Sequence, residues 1–239
     1  MTAHATDFTW FAERHPVLGE AYCLTYVQGI GADELLRRFD AAPGGEVTGL
    51  EAVVAAWETF DDGEDGTDDE DLFDDDEDDE AEDEDDDEAA EGPSDDDDDE
   101  YADRLFVAVT ELDGWALAVE PYGYLGSLWD ILPRLADGTR AVSHFRNVNA
   151  VDAFNWWEGP TCRLHFEPLF PDQRHGTDAD ADASGIPDLL TACGFRLDDK
   201  NTELNTESAF ALAERLTDVR IGAGRLEAAT FRIGYAPRP

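Results

Sequence analysis

Between Asp61 and Glu100, 29 of 40 residues are acidic and none is Lys or Arg. No other feature of the chain constrains its folding as strongly. Blocks of like charge repel one another. A segment this poor in apolar side chains cannot bury enough surface to offset the entropy lost on ordering. Leu72, Phe73 and three alanines, Ala81, Ala89 and Ala90, are too few to change that balance. The run is expected to be a disordered acidic insertion, and any folded body must be built from residues 1–60 and 101–239.

The run also carries most of the charge. The chain has 59 acids against 16 bases, for a net charge of −43. Outside the run the balance is 30 acids against 16 bases, and all six Trp lie there. That remainder is rich enough in apolar residues for an ordinary core. A polyanion of this kind avoids nucleic acid and anionic membrane surfaces. Its natural attractions are basic proteins, polyamines and divalent cations. The N-terminus shows no basic stretch followed by an apolar one, and no run of 18 apolar residues occurs, so a cytoplasmic location is expected. Cys23, Cys162 and Cys193 are odd in number and far apart, which fits reduced thiols.

Periodicity places the elements. Residues 7–18 read as a helix with Asp7 as N-cap, Trp10 and Phe11 as buried anchors, and Gly19 as its end. Tyr22–Val27 reads as a strand. Ala32–Phe39 reads as a helix whose apolar stripe is Leu35, Leu36 and Phe39, with Arg37 and Arg38 facing outward. Pro43-Gly44-Gly45 reads as a loop, and Leu50–Phe60 as a helix capped by Thr48 or Gly49. After the acidic run, Asp113-Gly114 between two apolar stretches is a strong hairpin signal. Ser127–Leu135 reads as a short helix that Pro133 ends or kinks. Strands at Thr139–Asn147, Val151–Trp157 and Thr161–Phe166 form a meander. Helices follow at Pro187–Ala192 and Glu207–Leu216, the latter capped by Thr206 or Ser208. Leu226–Tyr235 is a final strand or an irregular tail. The expected fold class is α+β: a mostly antiparallel sheet of about five to six strands with flanking helices. One domain interrupted by the acidic insertion is favoured, because residues 1–60 are too few to fold well alone.

Several spaced motifs carry a resemblance. They are Gly114-Trp115, Glu120-Pro121-Tyr122-Gly123, Gly138-Thr139-Arg140-Ala141-Val142-Ser143, Asn147-Val148-Asn149-Ala150 and Pro168-Leu169-Phe170-Pro171-Asp172-Gln173-Arg174. Together they resemble an uncharacterised actinobacterial family with a domain of unknown function, over residues 20–40 and 104–217. The resemblance implies no activity, cofactor or catalytic residue. It implies that the long acidic run is an elaboration of this member.

Candidate sites are few. Arg140, His144 and Arg146 alternate on one strand, and Arg163, His165 and Glu167 on another. If those strands are neighbours, a basic patch with Glu120 as partner forms on an open sheet face. The charge signs alone suggest that the acidic run folds back over it. Of the adjacent Trp156 and Trp157, one must face the core and the other an outer surface. Cys162 and His165 are three apart on a strand and face opposite sides, which speaks against zinc. Asp178, Asp180 and Asp182 start like a calcium loop, but Ala183 stands where glycine belongs and Leu189 where a bidentate Glu belongs. No nucleophile elbow, phosphate-binding glycine loop or zinc-protease helix motif occurs, and Gly29-Ile30-Gly31 lacks its third glycine.

The expectation that follows is a non-enzymatic cytoplasmic interaction domain, regulatory or immunity-like. It would bind a protein partner, with basic partners favoured by charge, through Glu120, Arg140, His144, Arg146, Trp156, Arg163 and His165. It would need no cofactor, nucleic acid or membrane. Two alternatives stand beside it: an enzyme of unrecognised type using Glu120, His144 and Arg146, and a binder of basic proteins through residues 61–100. The oligomeric state is left open.

Overall fold

In the computed structural model, residues 2–64, 103–179, 185–197 and 203–239 are described. Eight antiparallel strands form a single sheet: β1 (Tyr22–Gln28), β2 (Ala42–Thr48), β3 (Arg104–Leu112), β4 (Trp115–Pro121), β5 (Arg140–Arg146), β6 (Asp152–Glu158), β7 (Thr161–Phe166) and β8 (Thr230–Pro237). Their order is β2-β8-β3-β4-β1-β5-β6-β7. The α+β class and the antiparallel sheet are as expected, but the strands number eight. Periodicity misses one strand, β2, and leaves β8 open between strand and tail; the two lie next to each other. β2 contains Pro43-Gly44-Gly45, a turn-like sequence that here sits on the sheet edge with a register shift between Pro43 and Gly45. Pro and a bulge are tolerated at an edge because no second neighbour needs the missing N–H. β8 lies between β2 and β3, so the chain's end is an interior strand and not a tail.

Helices cover both sides of the sheet. The first side carries α1 (Trp10–Arg14), α2 (Pro16–Glu20), α4 (Leu50–Glu64), α6 (Ile186–Cys193), α7 (Asn205–Thr217) and α8 (Ala223–Ala228). Tyr22, Leu24, Tyr26, Phe154, Phe166, Phe210 and Leu212 are buried in its core. The second side carries α3 (Ala32–Arg38) and α5 (Leu132–Leu135), with a tight 3-10 turn at Leu125–Ser127. Val27, Leu35, Leu36, Phe39, Leu132 and Trp157 are buried there. Alternation explains the split: Tyr22, Leu24 and Tyr26 point one way along β1, and Cys23, Thr25 and Val27 the other.

Several local expectations change. The first helix is broken into a 3-10 turn at Ala5–Asp7, α1 and α2. Pro16 starts α2, since its missing N–H costs nothing in a first turn. Asp7 is not an N-cap; it is the last residue of the 3-10 turn, and its carboxylate accepts the His4 N–H at 3.0 Å. Gly19 lies inside α2 because a Cβ there would come within 2.8 Å of the Ala12 Cβ. Phe11 is buried and Trp10 only half so. Arg38 does not face outward; its Nη1 donates to the carbonyls of Leu135 and Asp137 at 2.7 and 2.9 Å. Pro133 likewise opens α5 instead of ending a longer helix. The residue before α7 is Leu204 in left-handed backbone, so neither Thr206 nor Ser208 is its cap. Helix α4 runs four residues further than expected, to Glu64. The Asp113-Gly114 hairpin holds, with φ of 52° and 80° as a two-residue primed turn requires. The disordered insertion expected at 61–100 falls, from residue 65 onward, outside the described residues.

Candidate functional site

Register decides which of the expected site residues meet. Cys23 on β1 pairs with Glu120 on β4, and Leu24 pairs with His144 on β5. Adjacent residues of β1 face opposite sides, so Glu120 and His144 do too. No open sheet face exists around either one: both are buried, at 0 % and 1 % exposure. The basic patch is not assembled, because helices occupy the side on which His144 lies.

On that first side, His144 packs edge-on against Phe210 at 4.9 Å between ring centres. The Tyr22 hydroxyl lies 2.9 Å from its Nε2. Burial, with Arg146 adding to it, pushes His144 down to about 3. The imidazole is therefore neutral, and its tautomer sets which group donates in the hydrogen bond with the Tyr22 hydroxyl. Burial holds that phenol well above its usual range, so it stays protonated. Arg146 pairs with the fully buried carboxylate of Asp152 at 3.3 Å and donates to the Thr206 hydroxyl at 2.9 Å. Burial raises Asp152 to about 6, against the pull of Arg146 and Thr206. These groups fasten α7 to the sheet.

The other arginines are also engaged internally. Arg140 donates to Gln28 Oε1 at 2.9 Å and lies over the Trp115 ring. Arg163 bridges Glu158 and Asp178, at 2.7 and 2.6 Å, and lies over Trp156. Trp156 is half-buried on the first side and Trp157 is 4 % exposed on the second. The outer aromatic of this region is instead Trp129, 52 % exposed, with its ring edge-on to Trp157 and to His165. Nothing in the sequence around Trp129 separates it from a core residue.

The second side holds a polar seam that sequence reasoning did not find. Thr25 pairs with Ser143, Ser143 with Asn155, and Asn155 with His165, one residue from each of β1, β5, β6 and β7. Thr25, Ser143 and Asn155 are each 0 % exposed. His165 Nδ1 lies 2.8 Å from Asn155 Oδ1, and Asn155 Nδ2 donates to Ser143 Oγ at 3.1 Å. This orients the half-buried imidazole of His165, which burial and then His175 hold below its ordinary range. One step along, Glu120 accepts the backbone N–H of Leu125 at 2.7 Å and of Gly126 at 3.0 Å. Burial raises Glu120 to about 7, while those two N–H groups and the Cys23 thiol pull it back. A buried polar network that is satisfied in this way fixes register and loop position. The available signal was a polar residue in mid-strand, repeated in neighbouring strands; it appears only once the register is known.

A register shift in β7 corrects the zinc argument. Trp157 pairs with Cys162 and Trp156 with Leu164, leaving Arg163 as the extra residue. Cys162 and His165 thus share the second side, across a bulge. Among the described residues no group of three or more His, Cys, Asp or Glu side chains could hold a metal. All three cysteines are unpaired. Asp178 is bound by Arg163, while Asp180 and Asp182 lie outside the described residues. No helix among the described residues is long and apolar enough to cross a membrane.

The family of unknown function DUF6461 matches residues 1–239, the whole chain. The chain belongs to that family. The match bears out the resemblance and extends it across residues that the motifs left uncovered. No curated protein and no solved structure matches this DUF6461 chain. The arrangement in this DUF6461 member is that of buried locks between strands, loops and helices, with no assembled acid–base site among the expected residues.

Proposed function

We propose that the chain is a non-catalytic interaction domain whose partner is a basic protein. One observation carries this reading. The arginines expected to form a binding patch, Arg140, Arg146 and Arg163, are each taken up by internal partners, while the chain as a whole keeps a net charge of −43. What remains for a partner is a surface with a large excess of carboxylates. Such a field attracts cationic partners over long range and raises their association rate. The contact surface is therefore not the sheet face first expected. The enzyme alternative loses its support, since Glu120 and His144 face opposite sides of the sheet and both are buried.

The test is fluorescence anisotropy of the full chain with a Lys/Arg-rich peptide and with an acidic peptide of equal length. The expected result is binding of the basic peptide alone, weakening steeply between low and physiological salt. Equal binding of both peptides, or of neither, would remove the reading.

A further inference from the structure

Resting on the reading just given, we propose that a basic segment of the partner inserts Lys or Arg side chains into two acid-rimmed cavities that flank Trp10. The larger cavity, about 280 Å³, lies between the N-terminal 3-10 turn and the start of α8. Its walls include Phe8, Trp10 and Ile221; its charged groups are the carboxylates of Asp7 and Glu214 and the guanidinium of Arg220, which pairs with Glu214. The smaller, about 150 Å³, lies between α2 and α4. Pro16, Val17 and Val54 give it apolar walls, and Glu51 and Glu58 of α4 its carboxylates. The ring contact of Trp10 with His15, 6.2 Å between centres, joins the two, because Trp10 lines one cavity and His15 the other.

Each cavity suits a long aliphatic stem with a cationic head. Apolar walls take up the methylenes, as such stems prefer, while the head meets the carboxylates, exposed in Asp7, Glu51 and Glu58 and largely buried in Glu214. Trp10 is half-buried and adds an aromatic surface to the larger cavity, where a cation gains further attraction. Glu51 and Glu58 are both exposed, two helical turns and about 10 Å apart along α4.

Two further observations point to a cation. In the larger cavity, burial raises the Glu214 carboxyl, Arg220 lowers it, and Asp7 and Asp218 push it up again. Like charges are thus gathered there, and the Glu214–Arg220 contact is a long 3.4 Å. In the smaller cavity, His15 is 4 % exposed and its Nε2 has no hydrogen-bond partner among the described residues. The nearest carboxylate, that of Glu227, is 3.6 Å away. Arg14 is the opposing charge in this lining, and it is exposed and at the rim. The acidic run begins at Asp61, three residues beyond Glu58, so the smaller cavity adjoins in sequence the segment that carries most of the negative charge.

A charge-matched comparison in the full chain tests the location. One variant combines Asp7→Asn, Glu51→Gln, Glu58→Gln and Glu214→Gln. The control combines Asp95→Asn, Asp96→Asn, Asp97→Asn and Asp98→Asn, removing the same charge from the acidic run. Binding of a Lys/Arg-rich peptide is measured at physiological salt, with thermal melts to verify folding. The cavity variant is expected to bind about tenfold more weakly and the control less than about twofold. Equal losses, or a loss in the control alone, would overturn the cavities while leaving the basic-partner reading intact. Failure of the unaltered chain to bind would remove both. If the fourfold variant does not fold, Glu51→Lys with Glu58→Lys, both at exposed helix positions, gives the same comparison against two Asp→Lys changes in the run.

Discussion

Glu120 and His144 stand on the two strands that flank β1, yet they face opposite sides of the sheet, because their β1 partners are the consecutive residues Cys23 and Leu24. Each is therefore buried in a different core, and each fastens a different element. Glu120 holds the 125–127 turn, and His144 sits beneath α7.

Removing the Glu120 carboxylate orphans two buried N–H groups, those of Leu125 and Gly126. Glu120→Ala is expected to cost about 2–4 kcal/mol, and Glu120→Gln somewhat less, since an amide oxygen still accepts one bond. Urea unfolding followed by circular dichroism measures both. An unchanged midpoint in Glu120→Ala would mean that the turn is held by something else.

The same carboxyl makes stability depend on pH. Glu120 lies at about 7 in the folded chain against 4.5 for a free Glu, chiefly through burial. Asp152 lies at about 6 against 3.8, for the same reason. In both cases the folded state holds the proton more tightly than the unfolded chain does. Their contribution is complete below about pH 4 and is lost as pH rises through 6 and 7. The urea midpoint is expected to be lower at pH 8 than at pH 5.5. Glu120→Gln should flatten the part of this slope that falls between pH 6 and 7.

Among the described residues Arg146 is the cation paired with Asp152, whose side chain is fully buried. Arg146→Ala is expected to cost about 2–4 kcal/mol, below the cost of breaking a fully enclosed pair, because the arginine keeps part of its surface in water. Asp152 should respond by binding a proton more tightly, moving above its value of about 6. Carboxyl chemical shifts followed by NMR against pH would show that movement. No change in the titration would mean that the pair is not formed in solution.

Gly126 allows the closest approach in the second core. A Cβ there would fall 1.8 Å from Thr25 Oγ1 and 3.0 Å from Cys23 Sγ. Gly126→Ala is expected to destabilise by about 1–3 kcal/mol or more. Pairing it with Thr25→Ala, which removes the nearest atom, should recover part of the loss. A double variant no more stable than Gly126→Ala would place the clash elsewhere.

Much of this architecture was legible in the residues. Strand β1, the Asp113-Gly114 hairpin, the β5–β7 meander and helices α3, α4, α6 and α7 each follow from local periodicity and turn chemistry. What stayed hidden had a physical cause. β2 is an edge strand, where Pro and Gly are tolerated, so its sequence looks like a loop. Pro16 breaks the first expected helix by opening α2, and Pro133 opens α5 where it seemed to end or kink a helix, because a proline suits a first turn as well as it stops an interior one. The bulge in β7 moves Cys162 to the side of His165, and nothing in TCRLHF marks an extra residue.

The sequence by itself determined the charge of this protein, the separation of its acidic run from its apolar segments, its α+β class and its family. Those depend on composition, local period and motif order, which need no partner strand. The tertiary structure alone decided which side chains meet. Strand order and register put Glu120 beneath a turn, His144 beneath a helix and the arginines in internal pairs. Facing in a sheet is set by a neighbour far away in the chain, and one step of register reverses it.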